Sequence, residues 1–392
     1  MKRSIKTFLK TAAKDYSSRS VNPPVVRAST ILFKTMQELR KHQNAIKKGK
    51  DVEHWDYGRQ GTQTTVQLQK LLKDLEEAYH VFLTPTGFSA VALSVMSICR
   101  PGDEILISDG VYRPTQKLSD QLLKEFNIKA IWYNPNKFDD FKNKITKKTK
   151  LIYVENPGSN TFEMNDLGKI VSLAKSKKIF TAIDNTWATA YFFKPLKLGF
   201  DIAITSATKY YSGHSDVMGG TVAVNKKVYN KVWWYNHVSG YRLSPDDAYL
   251  IIRGLRTLDV RMDKHQENTK KVINFLKTQR KIHKILYPYK TSSREFKLWK
   301  KYYSGASGLV SIIIKSKNKN SVYKFVNTLD LFGIGYSWGG FESLAVYTDP
   351  VELGIRRYFK LEKDEHLVRL HIGLEDPKDL INDLKSSLKF IK

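Results

Sequence analysis

The sequence predicts an α/β fold built on a mainly parallel sheet, followed by a smaller α+β C-terminal domain. Two observations carry this reading. From about residue 64 to 260, short apolar runs alternate with amphipathic stretches, the pattern of strands joined by crossover helices. The length, 392 residues, also exceeds what a single core usually spans, so two or three domains are expected.

Taken in order, residues 1–60 lack strong periodicity and read as an N-terminal arm that wraps onto another body. Residues 61–254 read as the α/β domain and 255–392 as the C-terminal α+β domain. Leu68, Leu71, Leu72, Leu75 and Tyr79 fall at helical spacing. Val81-Phe82-Leu83 then reads as a strand before a turn at Thr84-Pro85-Thr86-Gly87. Further strands are expected at Ile105–Ile107, Ala130–Tyr133, Leu151–Val154, Thr181–Ile183 and Thr221–Val224, with a helix marked by Leu167, Ile170, Val171 and Ala174. Ser244-Pro245-Asp246-Asp247 is a helix start, with a serine cap, proline in the first helical position and an acid three residues after the cap. Leu309–Ile314 and Val368–Ile372 read as C-terminal strands. Asp376-Pro377 opens a last helix with Leu380, Leu384, Leu388 and Ile391 on one face.

The chemistry gathers around Lys209, in the run Ser206-Ala207-Thr208-Lys209-Tyr210-Tyr211-Ser212-Gly213-His214-Ser215-Asp216. This run follows Asp201–Thr205, which reads as a short buried strand. A lysine flanked by small hydroxyl residues at a strand end is poorly explained as surface charge. It is well explained as an amine that binds pyridoxal phosphate as a Schiff base, with neighbouring hydroxyls taking up the phosphate. Upstream, Ile183-Asp184-Asn185-Thr186-Trp187 is an apolar run closing on a carboxylate. Such a cofactor needs an acid at its pyridine nitrogen to keep the ring an electron sink. Thr84–Ala90 leads from a strand into a helix and could present backbone N–H groups to a phosphate, although a ligand-free tight turn would look the same. Lys209 and Asp184 tip that balance. His214 and Asp216 lack metal-ligand or triad spacing and are read as structural; no metal is expected.

Composition narrows the classes. Apolar residues make up 41% and charged residues 27%, with no run near the roughly 18 apolar residues of a membrane span. The start, Met1 to Lys10, is basic without an apolar core, so it reads as an arm rather than a secretory signal. A single cysteine, Cys99, excludes an internal disulfide and fits a cytoplasmic location. The net charge of +28, from 66 basic and 38 acidic residues, raises the alternative of a non-catalytic polybasic binding protein. The lysines are scattered rather than clustered and no nucleic-acid-binding motif accompanies them, so no specific nucleic-acid partner is expected.

An ordered set of segments resembles the cysteine/methionine-metabolism family of pyridoxal-phosphate enzymes over nearly the whole chain. The segments are Tyr57–Thr62, Pro85–Ala90, Asp184–Ala188, Ser206–Gly219, Gly254–Leu258, Tyr336–Ser343 and Arg369–Gly373. Within the family, Trp187 after Asp-Asn-Thr and the Tyr336-Ser337-Trp338-Gly339-Gly340 run resemble the β-lyase branch. The resemblance implies an aspartate-aminotransferase-type large domain and a homotetramer built from catalytic dimers. It implies that Lys209 holds the cofactor and then removes the substrate α-proton, and that Asp184 pairs with the pyridine nitrogen. Ser206 and Thr208, with the Gly87 and Phe88 amides, would hold the phosphate, and Tyr57 and Arg59 would reach the phosphate of a neighbouring subunit. Tyr112 reads alone as a packing tyrosine and Arg369 as a strand-edge arginine. The resemblance instead stacks Tyr112 on the cofactor ring, where it helps protonate the leaving sulfur. It places Arg369 on the substrate α-carboxylate, with Tyr336, Ser337 and Trp338 in the substrate site.

The implied reaction is β-elimination of L-cystathionine to homocysteine, pyruvate and ammonia, a step of methionine biosynthesis. Same-class alternatives are a γ-lyase or γ-synthase, and amino-acid racemisation with Tyr112 and Lys209 as proton-transfer partners. Departures from the β-lyase pattern are Gln60 in place of an arginine, and Arg113 and Lys117 in place of acids. Ser159 stands at the usual asparagine, as the β-lyases tend to have. These changes predict altered recognition of the distal, leaving half of the substrate.

Overall fold

The computed structural model describes residues 3–13, 19–47, 55–289, 293–349, 353 and 356–392. Parts of the expected N-terminal arm, at 1–2, 14–18 and 48–54, lie outside the described residues. Helix Gln63–Glu76 carries Leu68, Leu71, Leu72 and Leu75 on its buried face, as their spacing predicts. Tyr79 does not extend it. Glu77 takes the left-handed conformation (φ 52°), the Ala78 N–H returns to the Lys73 carbonyl at 2.9 Å, and the Tyr79 N–H already bonds the sheet at Val224 O, 2.9 Å away. The helix therefore ends in time for the chain to turn straight into a strand.

Seven strands follow: β1 (His80–Thr84), β2 (Glu104–Ser108), β3 (Lys129–Tyr133), β4 (Thr149–Glu155), β5 (Phe180–Asp184), β6 (Ile202–Ser206) and β7 (Gly220–Val224). They form one sheet in the order β1-β7-β6-β5-β4-β2-β3. Only β7 runs against its neighbours β1 and β6; every other pairing is parallel. The inner strands are buried along nearly their whole length, which explains their continuous apolar runs, because helices cover both faces. Since β1, β2, β4, β5 and β6 point the same way, Thr84, Ser108, Glu155, Asp184 and Ser206 all end strands on one edge of the sheet. That carboxyl-terminal edge is where open α/β sheets place ligands.

Helix Pro245–Leu255 starts as its sequence predicts: the Asp247 N–H donates to Ser244 Oγ at 3.0 Å, with proline in the first turn. Helix Leu258–Leu276 then leads to a second sheet of β8 (Ile282–Leu286), β9 (Leu309–Lys315), β10 (Leu344–Thr348) and β11 (Glu365–His371). Its order is β10-β11-β9-β8, antiparallel throughout. Helix Pro377–Leu388 packs Leu380, Leu384 and Leu388 inward; Ile391, also buried, falls just beyond its end.

One buried arginine joins the two sheets' surroundings at the site. Arg356 donates to Asp109 (3.0 Å), Thr161 (2.7 Å) and Glu163 (2.8 Å), and all four are buried. The Arg357 and Tyr358 amides also donate to Asp109. This anchors the turn that carries Tyr112 and the loop that carries Ser159 to the C-terminal part of the chain. No helix among the described residues is long and apolar enough to cross a membrane.

Candidate active site

The sheet edge opens into a cavity of about 430 Å³. Of the residues singled out from the sequence, Gly87, Phe88, Tyr112, Asp184, Ser206, Thr208, Lys209, Tyr336, Ser337, Trp338 and Arg369 all line it. They come from strand ends, a helix start and two C-terminal segments, and only folding brings them together.

Lys209 sits on the turn after β6, its N–H returning to the Ser206 carbonyl at 3.1 Å. Its amine reaches Ser337 Oγ and lies 5.4 Å from the Trp338 ring centre. Burial, and next the nearby Arg369 cation, push the Lys209 amine down to about 8, while Asp184 opposes the shift. Such an amine is partly uncharged near neutrality, which both a carbonyl-binding nucleophile and a general base require.

Asp184 ends β5, and its Oδ1 accepts the Thr186 N–H at 2.9 Å. Burial pushes this carboxyl up, against the Thr186 hydrogen bonds and Lys209. A cationic ring nitrogen beside it would supply the compensating charge that burial calls for. Thr186 also accepts the Ser206 N–H at 2.9 Å and so ties the ends of β5 and β6 together. Sequence reasoning assigned Thr186 no role, because its hydroxyl matters only across two strands.

The phosphate end is formed by helix Gly87–Met96. Thr86 caps it, its hydroxyl accepting the Ser89 N–H at 3.0 Å. The first amides of the helix, Gly87 and Phe88, have no carbonyl within their own helix to bond. Gly87 is required by packing: a Cβ there would lie 2.4 Å from Ser206 Oγ. Glycine thus lets the helix N-terminus close on the Ser206 hydroxyl in an anion cradle. Thr208 lines the cavity, yet its hydroxyl exchanges bonds with Gly219, accepting at 3.0 Å and donating at 3.2 Å. It can donate to a phosphate only by releasing the Gly219 carbonyl.

Glu155 is a cavity residue that sequence reasoning did not single out. It stands opposite Asp184 in the β4–β5 register and accepts the Tyr112 N–H at 2.5 Å. Burial first, then Asp184, push its carboxyl well above the usual range. The only signal in the sequence was its place at a strand end. Tyr112 itself is held up by burial and next by Glu155, with Arg369 pulling the other way. Arg369, on β11, donates to the Ser337 carbonyl at 3.1 Å and is desolvated in the cavity wall.

Two expected residues lie elsewhere. Tyr57 is exposed, and Arg59 donates to the His237 carbonyl at 3.0 Å beside a separate small pocket. Neither lines the cavity of this chain. Gln60, Arg113 and Lys117, expected to alter recognition of the leaving half, are likewise absent from its wall. No group of three or more His, Cys, Asp or Glu among the described residues could hold a metal ion.

A half-buried amine of lowered basicity near a half-buried acid, with an anion cradle at the edge of a parallel sheet, defines a pyridoxal-phosphate enzyme, and the residues present fit that cofactor. The chain belongs to the Cys/Met metabolism PLP-dependent enzyme family, whose model matches residues 6–389. It is 36% identical over 382 residues to a cystathionine β-lyase of Haemophilus influenzae, covering 96% of each chain. It is 34% identical over 381 residues to an L-alanine/L-glutamate racemase of Wolbachia pipientis, covering 95% of this chain and 93% of that one. The fold superposes on a crystal structure of cystathionine γ-synthase from Xanthomonas oryzae pv. oryzae with a TM-score of 0.90, at 26% identity, covering 100% of this chain and 99% of the other. The protein is therefore an enzyme that uses pyridoxal 5'-phosphate, with the fold of the cystathionine lyases and synthases.

Proposed function

We propose that this enzyme is a carbon–sulfur lyase that converts L-cystathionine and water to homocysteine, pyruvate and ammonia, serving methionine biosynthesis in the cytoplasm. The single observation that carries this reading is one cavity wall that holds Lys209, Tyr112 and Arg369, with the Arg369 cation acting on both the amine and the phenol. Bound pyridoxal phosphate supplies the electron sink that makes the substrate Cα–H acidic. Arg369 clamps the α-carboxylate through its planar fork. Lys209 Nζ takes the α-proton, its basicity tuned by burial and by Arg369. The Tyr112 hydroxyl, still protonated because burial raises its pKa, gives a proton to the departing sulfur. Asp184 would hold positive charge at the ring nitrogen, and Ser206 with the Gly87 and Phe88 amides would hold the phosphate, joined by Thr208 once its hydroxyl releases the Gly219 carbonyl.

The division into an arm at 1–60, a cofactor domain at 61–254 and a C-terminal domain at 255–392 is part of this proposal. The break between helices Pro245–Leu255 and Leu258–Leu276 supports its second boundary. Tyr57 and Arg59 stand outside the cavity of their own chain, which supports their acting on a second copy within a homotetramer of catalytic dimers. A second reading, amino-acid racemisation, is favoured by the likeness to the Wolbachia racemase, and Tyr112 with Lys209 would carry the proton.

Incubating purified holoenzyme with L-cystathionine, L-cystine, an L-homoserine ester and L-alanine tests these readings together. Homocysteine and pyruvate in equal amounts are expected from cystathionine. Cysteine and 2-oxobutyrate would instead assign a γ-lyase, and D-alanine would establish the racemase activity.

A further inference from the structure

Strand β11 presents two side chains of one face, Arg369 and His371, to the segment Ser337–Gly340. Arg369 donates to the Ser337 carbonyl at 3.1 Å. The Gly339 N–H donates to His371 Nε2 at 3.0 Å. A backbone N–H can only donate, so Nε2 carries the lone pair and the neutral ring keeps its proton on Nδ1. The nearby Gly340 carbonyl, 3.2 Å from Nε2, is then a close neighbour and not an acceptor. His371 is fully buried, and burial pushes its pKa down to about 4, so the ring remains neutral at working pH.

The segment needs this support. Ser337 has φ +81°, a region costly for a residue with a Cβ, and Gly339 has φ +89°. The loop backbone lies directly on that of Lys209: a Cβ on Gly339 would come within 2.9 Å of Tyr210 N and 3.0 Å of Lys209 Cα. Ser337 Oγ in turn meets the Lys209 amine. Beyond the loop, the Ser343 N–H is held by Glu375 at 2.7 Å. A shift at Gly339 therefore moves Ser337 Oγ relative to the amine.

We infer that His371 is a positioning residue for proton transfer: its neutral Nε2 accepts the Gly339 N–H and so holds Ser337 Oγ against the Lys209 amine. This rests on the reading of Lys209 as the cofactor-bound lysine and α-proton base. Arg369 reaches the same loop through its bond to the Ser337 carbonyl, so positioning of the amine is told apart from substrate binding by whether the rate or KM moves.

The test measures His371→Leu, which removes the acceptor at similar volume, and His371→Gln, whose Oε1 can stand where Nε2 stood. The saturating rate of Cα–H exchange into deuterated water is followed with L-alanine, which has no β-leaving group, so the readout holds whichever net reaction the enzyme performs on sulfur amino acids. Borohydride reduction and mass analysis of the Lys209 peptide report cofactor attachment independently of activity. His371→Leu is expected to slow exchange about 10- to 100-fold, the usual cost of a small misplacement. KM should stay within about twofold and attachment at Lys209 should be unchanged, while His371→Gln recovers most of the rate. Unchanged exchange in His371→Leu, a parallel rise in KM, or no recovery with Gln overturns the inference. Should the leucine variant not fold, Gly339→Ala, which pushes the same loop off Lys209, must show the same rate-selective loss or the inference falls. A wild-type protein that carries no cofactor at Lys209 would refute the functional reading instead.

Discussion

Replacing Lys209 with methionine should stabilise the cofactor-free protein. The lysine is an amine forced into a site that disfavours its charge, pushed from the ordinary 10.5 to about 8 by burial and Arg369. A depressed lysine costs stability while the folded chain carries its charge, and stability recovers with rising pH where the unfolded chain binds more protons than the folded one. That cost is full below about pH 8, shrinks between about 8 and 10.5, and vanishes above. A shift of this size corresponds to about 3 kcal/mol. Because the amine faces an open cavity, solvent recovers part of this, and ~2 kcal/mol is the expected gain at pH 7. Methionine keeps the chain length and has no charge to desolvate. Urea denaturation of cofactor-free wild type and Lys209→Met at pH 7 and at pH 10.5 measures the difference. A gain at pH 7 that disappears at pH 10.5 is expected. Equal stability at pH 7, or the same gain at both values, would refute the placement of a strained cation at this site.

Glu76 gives an acid-side counterpart. Burial pushes its carboxyl to about 7 while Tyr211 donates to it, so the folded chain binds a proton that the unfolded chain releases above 4.5. Wild-type stability should then fall by about 3 kcal/mol as pH rises from 4.5 through 7, and Glu76→Gln should flatten that slope in thermal melts. Asp184→Ala should weaken cofactor retention and lower turnover by about two orders of magnitude or more, read by equilibrium dialysis and steady-state assay; wild-type turnover would count against its role at the ring nitrogen. Arg59→Ala and Lys209→Ala, each impaired alone, should partly complement when mixed and reassembled. Failure to recover activity despite proven subunit exchange would place the whole site within one chain.

The comparison of sequence with structure divides along physical lines. Strands β1 to β7 and the helices Gln63–Glu76, Gly87–Met96, Leu167–Ser176 and Pro245–Leu255 were legible because a sheet buried on both faces needs continuous apolar runs, and because caps such as Ser244-Pro245 act locally; the helices Arg113–Lys117, Phe138–Asn143 and Tyr229–Ser239 were not. Strands β8 and β10 were not. Ile282–Leu286 has an edge position with His283 and Lys284 exposed, so its apolar run is broken; Leu344–Thr348 is only partly covered, and its short run Leu344–Tyr347 carries no flanking signal that marks it as a strand. Tyr79 misled the helix reading because its spacing fits, while the left-handed Glu77 that stops the helix leaves no mark in a one-letter pattern.

The sequence by itself determined the chemistry: a lysine among hydroxyls, an acid closing an apolar strand, and a turn entering a helix are local patterns whose meaning survives without coordinates. Tertiary structure alone decided how those groups are tuned. Burial beside Arg369, more than a hundred residues away in the chain, lowers the Lys209 amine. Register sets Glu155 beside Asp184, and a histidine on a distant strand holds the loop that touches the lysine. The chain's local pattern names a reactive group, but its proton affinity depends on what the fold packs around it, since desolvation and neighbouring charge are properties of three-dimensional surroundings.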